Sequence, residues 1–276
     1  MRSAPLLIAG LLATVVCGPA AAQAPPRLLP HRAVYDLSLA ASRGARTVES
    51  ARGRIVFEFT GDACEGYALK FRQVTVLQSA ESGEKTSDIR TANFESGDGT
   101  SFRFKNETDQ GGQKQVVDGE ATSRGDKGAL SVRLKAPKRE QHAFDGGAVF
   151  PNTQMRDLIT AARAGKTTVS ERIYDGSDDG QKVYETLAII GKRIEGGASD
   201  GLEEAARQEG LASLPRWPVR ISYFPAGKSD GTPVYTLSFD LYDNGVSRAL
   251  NLDYGDFALK GEMSRLDLLP PSACRR

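Results

Sequence analysis

Period-two alternation of apolar and polar side chains, interrupted by turn pairs, runs along nearly the whole chain and commits it to β-structure. Successive side chains of a strand point to opposite faces, so a strand with one buried face alternates. Ile55, Phe57 and Phe59 alternate with Val56 and Glu58. Phe102 and Phe104 alternate with Arg103 and Lys105, and Val132 and Leu134 with Arg133 and Lys135. Further strands are predicted from Val34 through Leu37 to Leu39, from Tyr67 to Val76, and over 183–190, 219–224, 234–242, 246–254 and 257–268. Turns are predicted at Gly61-Asp62, Ser82-Gly83, Asp98-Gly99, Asp118-Gly119, Asp230-Gly231 and Asn244-Gly245, the last being the strongest hairpin signal. Many short strands joined by tight turns predict a mainly β protein. Its large antiparallel sheet should curl into an open barrel or β-spiral.

One helix interrupts the pattern. Phe150-Pro151 opens it, and Asn152 or Thr153 can cap it. Met155, Leu158, Ile159 and Ala162 form one apolar stripe, expected on the concave side of the sheet, and Gly165 is a C-terminal stop. A weaker helix is predicted over 202–211. One or two helices should therefore pack in or on the sheet. No internal repeat and no linker divides residues 23–276, which are expected to form a single domain.

The first 22 residues read as a secretory signal peptide. Arg2 is the charged start, Leu6 to Val16 an apolar stretch of about ten residues, and Ala20-Ala21-Ala22 a small-residue cleavage site. Such a stretch is too short for a transmembrane helix, which needs about 20 apolar residues. A cleaved leader predicts a periplasmic protein starting near Gln23. Cys17 is expected to leave with the leader, since Val16 stands where a lipid-modified signal carries a small residue. Two cysteines remain, Cys64 and Cys274. An even number in an exported protein favours one buried bridge, with unpaired thiols or an intermolecular disulfide as alternatives.

Charge excludes one class of partner. The chain has 36 Lys and Arg against 35 Asp and Glu, and removing Arg2 leaves 35 of each. A nucleic-acid footprint needs a basic surplus. Ordered catalytic and metal motifs are weak. Gly165-Lys166-Thr167-Thr168 resembles the tail of a phosphate-binding loop but would close a helix instead of opening one. Asp175, Ser177 and Asp179 stand at the first ligand positions of a calcium loop. Thr186 stands where the bidentate Glu belongs, so a solvated hairpin turn is expected over Asp175–Gly180. His31 and His142 are expected at the surface. Asn106-Glu107-Thr108 fits a glycosylation acceptor, a pattern common by chance.

Several stretches taken in order resemble the EipB-type periplasmic cell-envelope integrity family, formerly a domain of unknown function. They are His31-Arg32-Ala33-Val34-Tyr35-Asp36-Leu37, Cys64-Glu65-Gly66-Tyr67, Ser101-Phe102-Arg103-Phe104, Phe150-Pro151, Tyr174-Asp175-Gly176-Ser177 and Trp217-Pro218-Val219. The run from Asn244 to Phe257, ending at Cys274, completes the likeness. The resemblance implies a periplasmic location, a Cys64–Cys274 disulfide, a curled sheet around a helix and a role in envelope integrity and stress resistance. It implies no reaction. The expected function is therefore a non-catalytic factor, without cofactor, that binds an envelope component: a lipid, a lipoprotein or a periplasmic protein. A monomer, and not an integral membrane protein, is expected. The competing expectation is a hydrolase acting on peptidoglycan or glycan, which needs a metal or a converging acid pair.

Overall fold

The computed structural model describes residues 26–43, 48–124, 128–197, 201–227 and 231–270. The leader and Cys274 lie outside the described residues, as does Asp230 of one predicted turn. Fourteen strands form one sheet. They are β1 (His31–Ser42), β2 (Val48–Asp62), β3 (Gly66–Ser79), β4 (Gly83–Ser96), β5 (Ser101–Gln110), β6 (Gln113–Thr122), β7 (Leu130–Ala136) and β8 (Glu140–Phe144). After helix α1 (Pro151–Arg163) come β9 (Thr168–Ile173), β10 (Tyr184–Ile190), β11 (Arg216–Pro225), β12 (Tyr235–Tyr242), β13 (Ser247–Asp253) and β14 (Phe257–Leu268).

The order β8-β7-β6-β5-β4-β3-β2-β1-β14-β13-β12-β11-β10-β9 makes two meanders joined where the first strand meets the last. His31 pairs with Leu268 on one side and Phe59 on the other. The sheet does not close. Its two edges are instead tied locally: Val149, just after β8, donates to the Arg172 carbonyl at 2.8 Å and accepts from the Tyr174 N–H at 3.0 Å. Curling follows from right-handed twist accumulated over many strands. Register shifts at Val34/Tyr35, Leu39/Ala41 and Ser238/Asp240 bend the strands further.

The inward face of β1 carries His31, Ala33, Tyr35 and Leu37. Of the three predicted apolar residues Leu37 is buried as expected, whereas Val34, which falls on the other face, and Leu39, in phase with Leu37 but at a register shift, are only half-buried. His31 is 3% exposed, which corrects its expected surface placement: it opens the strand in phase with Ala33 and Tyr35. Strands β4, β6 and β8 are absent from the predicted pattern. Asp118-Gly119 lies inside β6, and the turn before it is at Gly111-Gly112. Gly61 and Asp62 end β2, one step before the turn they were expected to form. In the Asn244-Gly245 turn only Gly245 takes a positive φ, 87°.

Helix α1 sits inside the curl. Leu158 and Ile159 share one apolar cluster with Phe59 and Tyr67 of the first meander and with Val219, Phe239 and Leu241 of the second. Met155 is partly buried against the same cluster. Asn152 and Thr153 do not cap the helix. Phe150 occupies the cap position with no side-chain bond. The Glu95 carboxylate, from β4, instead accepts from the Asn152 N–H at 2.7 Å, the Thr153 N–H at 2.8 Å and the Thr153 hydroxyl at 2.6 Å. Those N–H groups have no partner within the helix, and a negative charge complements its dipole there. Burial pushes Glu95 above the usual carboxylate range, opposed by the Thr153 and Asn152 bonds and by Arg156. At the other end Arg163 grips Asp243 through two bonds of 2.6 and 2.8 Å. Gly165, at φ 72°, then stops the helix.

The second predicted helix breaks. Glu204–Arg207 is a single 3₁₀ turn and α2 (Glu209–Ala212) one α-turn. Gln208 between them is extended, its side chain spent on the Ala205 and Leu266 carbonyls. This segment fills a split between β13 and β14, which pair only from Leu250 to Asp253. There the Glu203 carboxylate accepts from the Ala249 and Met263 N–H groups, at 3.2 and 3.4 Å, and from Arg248. Arg248 also donates to Asp240 at 2.6 Å, and Asp240 accepts from Arg216 at 3.2 Å.

The Asp175–Gly180 loop is not a solvated turn. Gly176 and Gly180 are buried, and Tyr174 donates to the Gly180 carbonyl at 2.7 Å. A Cβ on Gly176, whose φ is 69°, would fall 2.4 Å from the Phe104 ring. The loop is pressed onto β5–β7, where Phe104 meets the Tyr174 ring edge at 5.6 Å.

Candidate functional site

The curl leaves an apolar cavity of about 310 Å³ between α1, β1–β3 and β12–β13. Its walls follow from register. Ile55, Phe57 and Phe59 are in phase on β2, and β3 sets Gln73, Phe71 and Leu69 directly beside them. Leu237 and Phe239 of β12 and Leu250 of β13 form the opposite wall, and Met155 of α1 covers one end. None of the described residues lining the cavity is Asp, Glu, Lys or Arg. Volume and lining match a small-molecule site, which is concave, mostly apolar and furnished with few polar groups.

Two polar stations interrupt the apolar walls. One lies under α1. His31 Nδ1 is 2.7 Å from the Leu29 carbonyl, and the ring stacks on Phe57 at 5.1 Å between centroids. Burial lowers the His31 pKa, opposed by the bond to Leu29, so the ring is neutral. The other station lies at the opposite end of β12, where Gln73 Nε2 contacts the Tyr254 hydroxyl at 3.4 Å. An aromatic row crosses four strands and the turn between β13 and β14 there: Tyr184, Tyr223, Tyr235, Tyr254 and Phe257, with centroids 6.3, 5.7, 5.1 and 5.1 Å apart. Burial raises the Tyr235 pKa well above its ordinary value, so its hydroxyl stays protonated.

The remaining candidate groups do not converge on the cavity. Asp175 and Asp179 each accept from the backbone N–H two residues ahead, and Asp178 pairs with Lys182 at 3.2 Å. No group of three or more His, Cys, Asp or Glu side chains is placed to hold a metal ion among the described residues. Asn106 donates to the Gly176 carbonyl at 2.7 Å. Glu203 and Asp240 are brought together, but as partners of Arg248. Cys64 is exposed in the turn between β2 and β3, so a bridge made there is not the buried one expected; Cys274 lies outside the described residues. His142 is half-buried on the edge strand β8, away from His31. Sequence reasoning missed His31 as a cavity residue. Its phase with Ala33, Tyr35 and Leu37 was the available signal.

The EipB-like family model matches residues 22–270. This chain belongs to the EipB-like family. Within it, the cell envelope integrity protein EipB of Brucella abortus (strain 2308) is 36% identical over 260 residues, covering 91% of this chain and 88% of that protein. The EipB-like fold also matches a crystal structure from Brucella abortus, described as a β-barrel-like protein of a domain of unknown function. The two superpose with a TM-score of 0.78 at 35% identity, covering 88% of this chain and 99% of that one.

Proposed function

We propose that this EipB-like chain is a non-catalytic periplasmic factor that supports cell-envelope integrity by binding the apolar part of an envelope component in its cavity. The uncharged cavity of about 310 Å³ carries the reading, and the name of the Brucella relative supports the envelope context. A cavity of this size suits an acyl chain, free or on a lipoprotein, and not a folded protein. Glycoside hydrolysis needs two facing carboxyls, and the cavity wall offers none among the described residues. The test is saturable binding of N-phenyl-1-naphthylamine to the mature protein, followed by fluorescence. Leu237→Trp places an indole in the cavity and should weaken binding at least about tenfold, because filling the space removes the apolar contacts. The same variant should fail to restore detergent resistance to a strain lacking the protein. Unchanged probe affinity in Leu237→Trp would place binding elsewhere.

The reading includes export with cleavage near Ala22 and a Cys64–Cys274 disulfide. Support for the bridge is positional. Leu268 ends β14 beside His31, which pairs on its other side with Phe59, at the sheet end where β2 turns at Cys64, and the Leu269 N–H still reaches the Pro30 carbonyl at 2.9 Å. Six further residues can span roughly 20 Å. Cys274→Ser should then destabilise the oxidised protein by about 2–4 kcal/mol. Mass spectrometry of periplasmic protein should count no free thiol before reduction and two after. Two free thiols in the unreduced monomer would remove the bridge.

A further inference from the structure

The polar chemistry of the cavity restricts what can fill it, and this step rests on the cavity reading above. His31 opens β1 and is 3% exposed, yet it lines the cavity. Its Nδ1 faces the Leu29 carbonyl at 2.7 Å. A carbonyl oxygen can only accept, so Nδ1 carries the proton and donates. In the neutral ring Nε2 is then a bare acceptor. Nε2 has no hydrogen-bond partner among the described residues, and it is not sealed away from space either, as orphaned buried atoms are. In a side chain so buried, that space is the cavity. The position is fixed by stacking on Phe57 at 5.1 Å and by the pairing of His31 with Phe59 and Leu268.

A lone acceptor in an apolar chamber costs free energy unless a ligand brings a donor. No Lys or Arg lines the chamber among the described residues, so a carboxylate or phosphate would be buried without a counter-charge. The volume of about 310 Å³ lies at the small end of ligand pockets, which suits one chain and not two. We infer that the cavity binds a single-chain, uncharged amphiphile that presents an O–H or amide N–H donor to His31 Nε2, beneath α1. A long-chain alcohol, a monoacylglycerol or a fatty amide has this chemistry. A free fatty acid ionised at neutral pH does not.

The test is displacement of N-phenyl-1-naphthylamine from the mature protein at pH 7.5 by three compounds of equal chain length. Dodecan-1-ol offers a donor, dodecyl methyl ether only an acceptor, and dodecanoate an anion. The alcohol should bind about tenfold tighter than the ether, one hydrogen bond's worth, and dodecanoate more weakly than either. His31→Phe keeps a flat ring on Phe57 and should erase the preference for alcohol over ether while retaining the ether. A readout that needs no variant is the ¹⁵N spectrum of His31, whose Nε2 resonance should be that of an unprotonated nitrogen and should move on addition of dodecan-1-ol but not of the ether. Equal affinities for alcohol and ether, or tightest binding of dodecanoate, would overturn the inference and leave the cavity reading intact. Absence of saturable probe binding to the wild-type protein would overturn both.

Discussion

Leu158→Asp is expected to cause a large loss of stability, with a melting transition well below that of the wild-type protein. Leu158 is fully buried in α1, at the meeting point of both meanders. The substitution removes about 1.5–3 kcal/mol of apolar burial and leaves a void. It also sets a carboxyl among Phe59, Tyr67, Trp217 and Leu241, where burying an unpaired polar group costs several kcal/mol more. A total of about 5 kcal/mol or more corresponds to a drop in Tm of roughly 10–20 °C for a domain of this size. Thr160→Asp, on the exposed side of the same helix, should change stability by less than about 0.5 kcal/mol. Wild-type melting of Leu158→Asp would mean that the helix does not lie inside the curl.

Arg248→Met should cost about 3–5 kcal/mol in urea unfolding. Arg248 has 8% of its side chain exposed and is held by Glu203, Asp240 and the Gly201 carbonyl. Removing it leaves the largely buried Glu203 without its counter-charge and leaves Asp240 with Arg216 alone, and breaking a buried ion pair by deleting one partner is costlier than the pair is worth. Adding Glu203→Gln neutralises one of them while keeping an oxygen for the Ala249 and Met263 N–H groups. The double variant should therefore be more stable than the sum of the two single losses allows, by about 1 kcal/mol or more. Strict additivity would show that Arg248 and Glu203 do not interact. The network matters for the site because it holds the split in the sheet beside the cavity wall at Leu250.

Alternation along β2, β5 and β7 determined the strands and their inward faces from sequence, because a side chain on a strand has only two directions and these segments separate the two by polarity. The helix was equally legible: Leu158, Ile159 and Ala162 repeat at helical spacing and are buried, together with Gln154 and Ala161. Short turns between strands pointed to antiparallel meanders, while the pairing of β1 with β14 and the strands β4, β6 and β8 were not legible. The resemblance to the family rested on the same ordered stretches.

Other features depended on contacts between distant segments. β4 carries few apolar residues and is a strand because β3 and β5 pair with it on both sides, a backbone cause that leaves little trace in side-chain polarity. β6 is fixed likewise by β5 and β7. Polar residues at inward positions, Gln73 and His31, interrupt the apolar pattern at the cavity wall. The capping of α1 came from Glu95, well over 50 residues earlier in the chain, and no local motif encodes that. The Asp175–Gly180 loop has the composition of a surface turn, yet its glycines let it press onto Phe104 and Leu134. Whether a twisted sheet curls far enough to enclose space depends on the bulges of β1 and β12 and on what fills its interior. The sequence alone therefore determined the β class, its antiparallel character and the buried face of one helix. The cavity and its two polar stations were decided only when strands far apart in the chain were brought to face each other.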